Sequence, residues 1–304
     1  MEQQDRLDKA AAVQMLFEDG LEHIIGNLMD KSGSKKLILT GGTALNCVAN
    51  AKLLKKFPDL HLWVPPHCSD TGVALGAALN FAYQAGVRKS EVLTHCFLCG
   101  TPPDKYSIIN AIEVFEQENI KAQYLGNIKE GNDISRVSDM LAYLVSTDSI
   151  IGLYQGEAES NPRALGHRTI LGNPKNPNIR DIINSQVKFR EAVRPLAPMM
   201  TLEAALKFYD IPQGLSDAEY NVLNWMVMAV DAKEEAKNLI PAVIHRDGTS
   251  RLQVVREETD PITHAYLKAL GKYSGAEVSV NTSLNVGGPI VQTPYDAIRT
   301  LKKK

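Results

Sequence analysis

"NPRALGHRTILGNP", residues Asn161 to Pro174, sets two arginines five positions apart, among two prolines and two glycines. A plain surface turn gains little from crowding Arg163, His167 and Arg168; a turn that must hold an anion gains a great deal. The following segment "VKFREAVRPLAP", 187–198, adds Lys188, Arg190 and Arg194. Asp181 and Glu191 are the only acids between Arg163 and Arg194, so the local charge is strongly positive. Guanidinium forks bind phosphate and carboxylate oxygens in pairs, and lysine supplies a point charge. Pro162, Pro195 and Pro198 stiffen the backbone, so less ordering is required on binding. Glycines and prolines interleaved with cations suit a shaped cleft on loops and short elements. The other reading is a solvated basic surface.

Outside this stretch the chain is ordinary. Its 304 residues suit about two domains, with 44% hydrophobic and 22% charged residues. A formal net charge of -2 argues against a nucleic-acid partner. No apolar run approaches membrane-spanning length, so no membrane association is expected. The polar start "MEQQDRLDKA" lacks a signal core, and a cytoplasmic location is expected. Four scattered cysteines do not make a disulfide framework, and the lone CxxC of Cys96 and Cys99 reads better as a small buried thiol pair than as a zinc site.

Apolar spacing predicts a helix over 8–30, then "KKLILT" as a buried strand. "GGTALNCVANAKLLKKF" reads as a glycine turn entering a helix, and "LHLWV" as a second strand. "HCSDTGVALGAALNFAYQAG" reads as a loop and a closely packed small-residue helix. Loss of period around 88–106 marks a domain boundary, giving domains 1–92 and 93–304. Beyond it we expect helices near 106–119 and 134–147, strands near 121–125 and at "SIIGLYQG", and the proline-rich section. "YNVLNWMVMAV" has the apolar content of a buried strand, with a helix as the alternative. "AVIHRDGTSRLQVV" reads as two strands around an Asp-Gly turn. A helix near 260–272, the strand "AEVSVNTS" and a helix from about 294 complete an α/β chain.

Three further constellations are candidates. Gly41, Gly42 and Asn46 sit where a strand opens into a helix, as a nucleotide contact or merely a tight turn. No GxxxxGK[ST] phosphate loop is present. Asp70 is either a ligand for a metal or metal-bound phosphate, or a helix cap. His245, Asp247, Thr249, Arg251 and Gln253 alternate on the expected hairpin, and Asn281, Thr282, Ser283 and Asn285 end a strand. They offer donors and hydroxyls for a small polar ligand, or form a polar strand face and turn.

"LTGGTALNCVANAKLL", "SDTGVALGAAL", "NPRALGHRTILGNP", "VKFREAVRPLAP", "HRDGTSRLQ" and "NTSLN" together resemble, in order and spacing, the NodU/CmcH/TobZ family of carbamoyltransferases, over nearly the whole chain. The resemblance implies a partial actin-like ATPase lobe (ASKHA, RNase H-like) over 1–92, followed by a YrdC-like α/β domain with a twisted mixed sheet over 93–304. It implies that carbamoyl phosphate and ATP give carbamoyladenylate, whose carbamoyl group passes to a hydroxyl of a small-molecule acceptor. Arg163, Arg168, Lys188, Arg190 and Arg194 then correspond to the pocket for carbamoyl phosphate and the ATP phosphates. Arg251, Ser283, Asn281, Thr282 and Asn285 correspond to its other wall. Gly41, Gly42 and Asn46 correspond to a nucleotide contact. Asp70 corresponds to a metal-ligand aspartate for Fe2+ or a similar ion, besides Mg2+ accompanying ATP.

This sequence also departs from the family. Family members carry several hundred residues before the opening helix, with HxxxH-type metal ligands, and no two of the seven histidines here lie four apart. Asn161 stands where the family usually has glycine. "NVGGPIV" is a residue shorter than the usual segment. A split enzyme with a partner chain supplying the first lobe, a decayed or non-catalytic binding module, and a homo-oligomer are the resulting expectations. A threonylcarbamoyl-adenylate-forming enzyme of tRNA modification is the other alternative.

Overall fold

The computed structural model describes residues 2–88, 94–116, 120–126, 131–212, 214–215 and 221–302. The first part is built on α1 (Glu2–Ser32), β1 (Lys36–Ile38), a 3-10 turn Gly42–Leu45, α2 (Cys47–Lys56), β2 (His61–Trp63) and α3 (Thr71–Gln84). β1 and β2 pair in parallel, with Leu37 opposite Leu62, and α2 is the crossover between them. The buried Glu18 of α1 pairs with Lys52 of α2. β1 is not the buried strand expected: it is short, and Ile38 is 71% exposed. Nor is α3 closely packed. None of its residues is buried, and Val73 and Phe81 are 70% and 74% exposed.

The remainder follows as β3 (Phe97–Cys99), α4 (Lys105–Glu116), α5 (Gly131–Ser146), β4 (Ile151–Tyr154), β5 (Ala158–Glu159), β6 (Arg168–Gly172), α6 (Ile179–Ile182), a π-helical turn Ile183–Lys188, β7 (Ala197–Met200), α7 (Leu202–Phe208), β8 (Ala229–Asp231), α8 (Glu234–Leu239), β9 (Thr249–Arg251), β10 (Gln253–Val254), α9 (Pro261–Ser274), β11 (Val278–Ser283) and α10 (Pro294–Lys302). Its centre is a mixed five-stranded sheet ordered β10-β7-β11-β6-β4, with β10 parallel to β7 and the other pairings antiparallel. α9 has a sharp start: Asp260 caps it by accepting from the Thr263 backbone N–H at 3.0 Å, and Pro261 occupies the first turn, where no N–H is needed. Tyr266, Leu267 and Leu270, at helical spacing, then pack with Ala142 and Val145 of α5 over Leu171 and Met199 of the sheet. The opposite face packs Ile170, Val187 and Leu284.

Several expectations fail for one physical reason: apolar content specifies burial better than it specifies backbone conformation. Residues 120–126 form no strand. "YNVLNWMVMAV" is buried where described, but opens with a 3-10 turn at Val222–Asn224 and becomes β8 only at its end. "AVIHRDGTSRLQVV" is not a hairpin. Its first part is a 3-10 turn, Pro241–Val243, and β9 and β10 separate, one pairing with β8 and the other with β7. His245 and Asp247 therefore lie in a turn rather than on a strand face shared with Arg251. The expected boundary at 92/93 falls at residues 89–93, outside the described residues.

The two parts share an apolar core. Leu53, Leu62, Val64 and Cys68 join Leu165, Leu196, Trp225 and Val227 in one buried cluster. Fully buried Asn50 donates to the carbonyls of Ala44 (2.8 Å) and Val227 (2.7 Å). Trp225 Nε1 donates to the Val64 carbonyl at 3.0 Å. Each of these bonds satisfies a backbone carbonyl that the contact takes away from water.

Candidate anion site

The opening stretch separates its two arginines. Arg163 leaves β5 on a turn fixed by Asn161, whose Oδ1 accepts from the Arg163 backbone N–H at 2.8 Å and whose Nδ2 donates to the Pro66 carbonyl at 2.7 Å. The Arg163 Nε is buried without a hydrogen-bond partner. Arg168 begins β6. It is 1% exposed, lies 3.7 Å from the Tyr154 ring centroid, and donates to the carbonyls of Gln155, His167 and Gly156 at 2.5, 3.0 and 2.9 Å. Through these three Nη bonds Arg168 acts as a tether between β6 and the turn after β4, although its Nε, like that of Arg163, is buried without a partner.

Arg251, at the end of β9, likewise keeps an unpartnered buried Nε. Burial, then the neighbouring Arg163 and Arg190 charges, bring its pKa down to about 10, while Cys47 acts in the opposite sense. Lys188 is buried at the end of the π-helical turn. Its Nζ donates among four oxygens: Ser283 O and Oγ at 2.5 and 3.2 Å, and Asn285 O and Oδ1 at 3.0 and 2.5 Å. Burial, then the Arg190 charge, pull Lys188 down to about 7. Arg190 is itself lowered by burial and then by Arg194, with Glu191 opposing. The groups form a coupled series, Lys188–Arg190–Arg251–Arg163, and no carboxylate acts on Lys188 or Arg251 among the described residues. Buried like charges without counter-charge are costly, so the arrangement favours an anion.

The other candidates are placed as follows. Arg194 is exposed and paired with Glu191 at 2.9 Å. Buried Asn281 donates to the Ala164 carbonyl (2.8 Å) and Gln253 Oε1 (2.6 Å), supporting the Arg163 turn from below. Thr282 lies on β11 opposite Ile170. Gly41, at φ 89, and Gly42 have open space where a Cβ would stand, so a ligand could approach that backbone. The Asn46 amide is occupied: it caps α2 through the Ala49 N–H at 3.2 Å and exchanges two bonds with Gln14 of α1. Asp70 is exposed at the start of α3, and its side chain makes no capping bond. Among the described residues no three His, Cys, Asp or Glu side chains gather to hold a metal, so the described residues do not by themselves fit one.

Sequence reasoning missed Cys47 and Asn184. Cys47, at the start of α2, has its thiol pKa raised by burial, with the Arg251 and Arg163 charges pulling it back. The first part of the chain thus reaches the cationic group through α2. A cavity of about 680 Å³ lies elsewhere, lined by β1 and β2 together with Asp210, Pro212 and Leu215, and touches none of the predicted site residues. A smaller one of about 520 Å³ is bordered by Asn285, Asn161 and Glu159.

The family model of the carbamoyltransferase C-terminus matches residues 142–304, and that of the carbamoyltransferase N-terminus matches residues 1–79. Nodulation protein NolNO of Sinorhizobium fredii is 34% identical over 98% of this chain and 42% of its own length. Nodulation protein NolO of Bradyrhizobium diazoefficiens is 33% identical over 98% of this chain and 52% of its own. An uncharacterised protein of Synechocystis sp. is 29% identical over 97% and 50%. The chain therefore spans about half the length of these relatives. No helix among the described residues is long and apolar enough to cross a membrane. The matches to both family models, over residues 1–79 and 142–304, together with relatives such as NolNO, identify this chain as a member of the carbamoyltransferase family.

Proposed function

We propose that this chain carries the carbamoyl-activating site of an ATP-dependent O-carbamoyltransferase, in a YrdC-like domain beside a lobe of an actin-like one. The supporting observation is the series Lys188–Arg190–Arg251–Arg163, in which no carboxylate acts on Lys188 or Arg251 and only Glu191 acts on Arg190. Carbamoyl phosphate and ATP are both anionic, and bringing them together requires fixed positive charge in a site of low dielectric. The balanced reaction consumes one water. Carbamoyl phosphate loses inorganic phosphate to give carbamate; a carbamate oxygen bonds to the α-phosphorus of ATP, and pyrophosphate leaves. Lys188 and the three arginines screen the repulsion and hold the reactants in line. Mg2+ would accompany ATP. Transfer to the hydroxyl acceptor would follow at a site that includes the first lobe. Asp70 alone of the described residues is a candidate there, and no step is derived through a metal.

Incubating the full chain with Mg2+, ATP and carbamoyl phosphate should release pyrophosphate. Folded protein that binds neither reactant would end this reading.

Affinity should also depend on pH with a definite sign. Lys188 holds its proton below about 7 and loses it above. An anion prefers the ammonium form, so ATP affinity should fall between pH 7 and 9, by at most about tenfold per pH unit for one proton. Titration calorimetry at several pH values checks this. Lys188→Met should flatten the profile.

A second reading, a binding module completed by another polypeptide, is favoured by α3. Its apolar side chains have no cover among the described residues, and large exposed apolar patches mark interfaces. Co-purification of a second chain bearing an HxxxH motif would support a split enzyme. A stable homo-oligomer that binds nucleotide without turnover would support the module.

A further inference from the structure

Asn184 lies in the π-helical turn Ile183–Lys188 and is fully buried. A single extra residue in a helical turn displaces the backbone that follows, and such turns often mark functional sites. Here the displaced backbone is the loop 189–195. It opens with Phe189 in the left-handed region (φ 50), and residues 191–195 are all exposed. The loop has almost no packing of its own to hold it.

Asn184 holds it instead. Its carbonyl accepts from the backbone N–H groups of Phe189 and of Arg190, the latter at 2.9 Å. Its Nδ2 donates to the Arg194 carbonyl at 2.9 Å and, more weakly, to the Ala192 carbonyl at 3.4 Å. Its Oδ1 accepts from Arg190 Nε at 2.7 Å. One amide thus closes the loop at its far end and fixes the guanidinium at its near end. Among the described residues only the Nε of Arg190 is engaged this way. Four N–H donors remain on its two Nη atoms for an anion.

We propose that Asn184 is a positioning residue of the anion site, fixing the Arg190 guanidinium beside Lys188 and Arg251 through its amide. The inference rests on the anion site proposed above. The bond to Nε sets the plane of the fork, and a preset fork loses less rotamer freedom when it binds phosphate. It also keeps the Arg190 charge within range of Lys188, whose proton affinity that charge lowers.

The test is a double-mutant cycle on the full chain, with ATP and carbamoyl phosphate as probes and calorimetry as the readout. Asn184→Ala and Arg190→Ala should each weaken binding about tenfold or more, the range of a lost charge-assisted hydrogen bond. The double variant should be no weaker than Arg190→Ala alone. In Asn184→Ala the fall of affinity with pH should move to higher pH, because Lys188 loses a neighbouring positive charge. A residue that merely supports the fold would move neither the cycle nor the pH profile. Additive effects in the cycle, an unmoved profile, or unaltered affinity in Asn184→Ala would overturn the inference while the anion site stands. Wild-type protein that binds neither probe would overturn both.

Discussion

Arg251→Met is expected to weaken ATP and carbamoyl phosphate binding by about 2–3 kcal/mol, or roughly 30–150-fold, while leaving the folded chain as stable as before or more so. The two effects share a cause. Arg251 faces Arg163 and Arg190 with no carboxylate acting on it, and its Nε has no partner. Removing it relieves like-charge repulsion in the empty site and deletes a donor fork in the filled one. Methionine keeps most of the side-chain stem, so little packing is lost. Arg168→Met should behave in the opposite way. The carbonyls of Gln155 and Gly156 lose their donor, that of His167 keeps only the Gln155 backbone N–H, and the Tyr154 ring loses its cation. A stability loss of about 3–5 kcal/mol follows, with any loss of binding secondary to unfolding. Thermal melts beside calorimetry separate the two arginines. If Arg251→Met melted far below the wild type while binding normally, Arg251 would be a structural cation and the proposed site would lose its centre.

That contrast shows where sequence reading stops. The cationic density of 161–195 was legible, because charge is a composition and needs no coordinates. The fate of each guanidinium was not. Arg163 and Arg168 stand in one motif, yet one lies among cations and the other among carbonyls, a difference made by the direction of the chain as it enters β6. Helices such as α2 and α9 were legible because apolar period is local; their caps, Asn46 and Asp260, which accept from N–H groups three residues ahead, were not read as such. Strand partners were not. β9 follows an Asp-Gly turn but pairs with β8, far upstream, and β10 departs to β7. α3 misled for another reason. Small apolar residues state that a helix can be buried, and nothing in the described residues buries it. Asn184 carries no charge and belongs to no motif. Its role arises from a π-helical turn, which a 3.6-residue period does not foresee.

Trp225→Ala is expected to cost about 3–5 kcal/mol of stability, as for a large aromatic side chain deleted from a packed core. Trp225 is 2% exposed and meets Trp63 edge-on at 5.5 Å. Its loss also strands the Val64 carbonyl, which accepts from Nε1. The consequence should reach the anion site. Val64 leads into Pro66, whose carbonyl holds the Asn161 amide, and Asn161 in turn holds the Arg163 backbone N–H. The contact between the two parts of the chain is thus also the support of one cation, and the residue where the family usually has glycine is the link. Trp225→Phe separates the contributions. It keeps most of the aromatic contact but not the N–H donor, so it should cost only about 1–3 kcal/mol. Asn161→Gly should disturb Arg163 with the aromatic contact intact. If the anion site is supported across that contact, Asn161→Gly should lower anion affinity more than Trp225→Phe does, although it removes less of the core. Chemical unfolding and calorimetry on the three variants would show this order. The reverse order would mean that Arg163 is held by its own loop, and that the first part of the chain contributes stability without shaping the site.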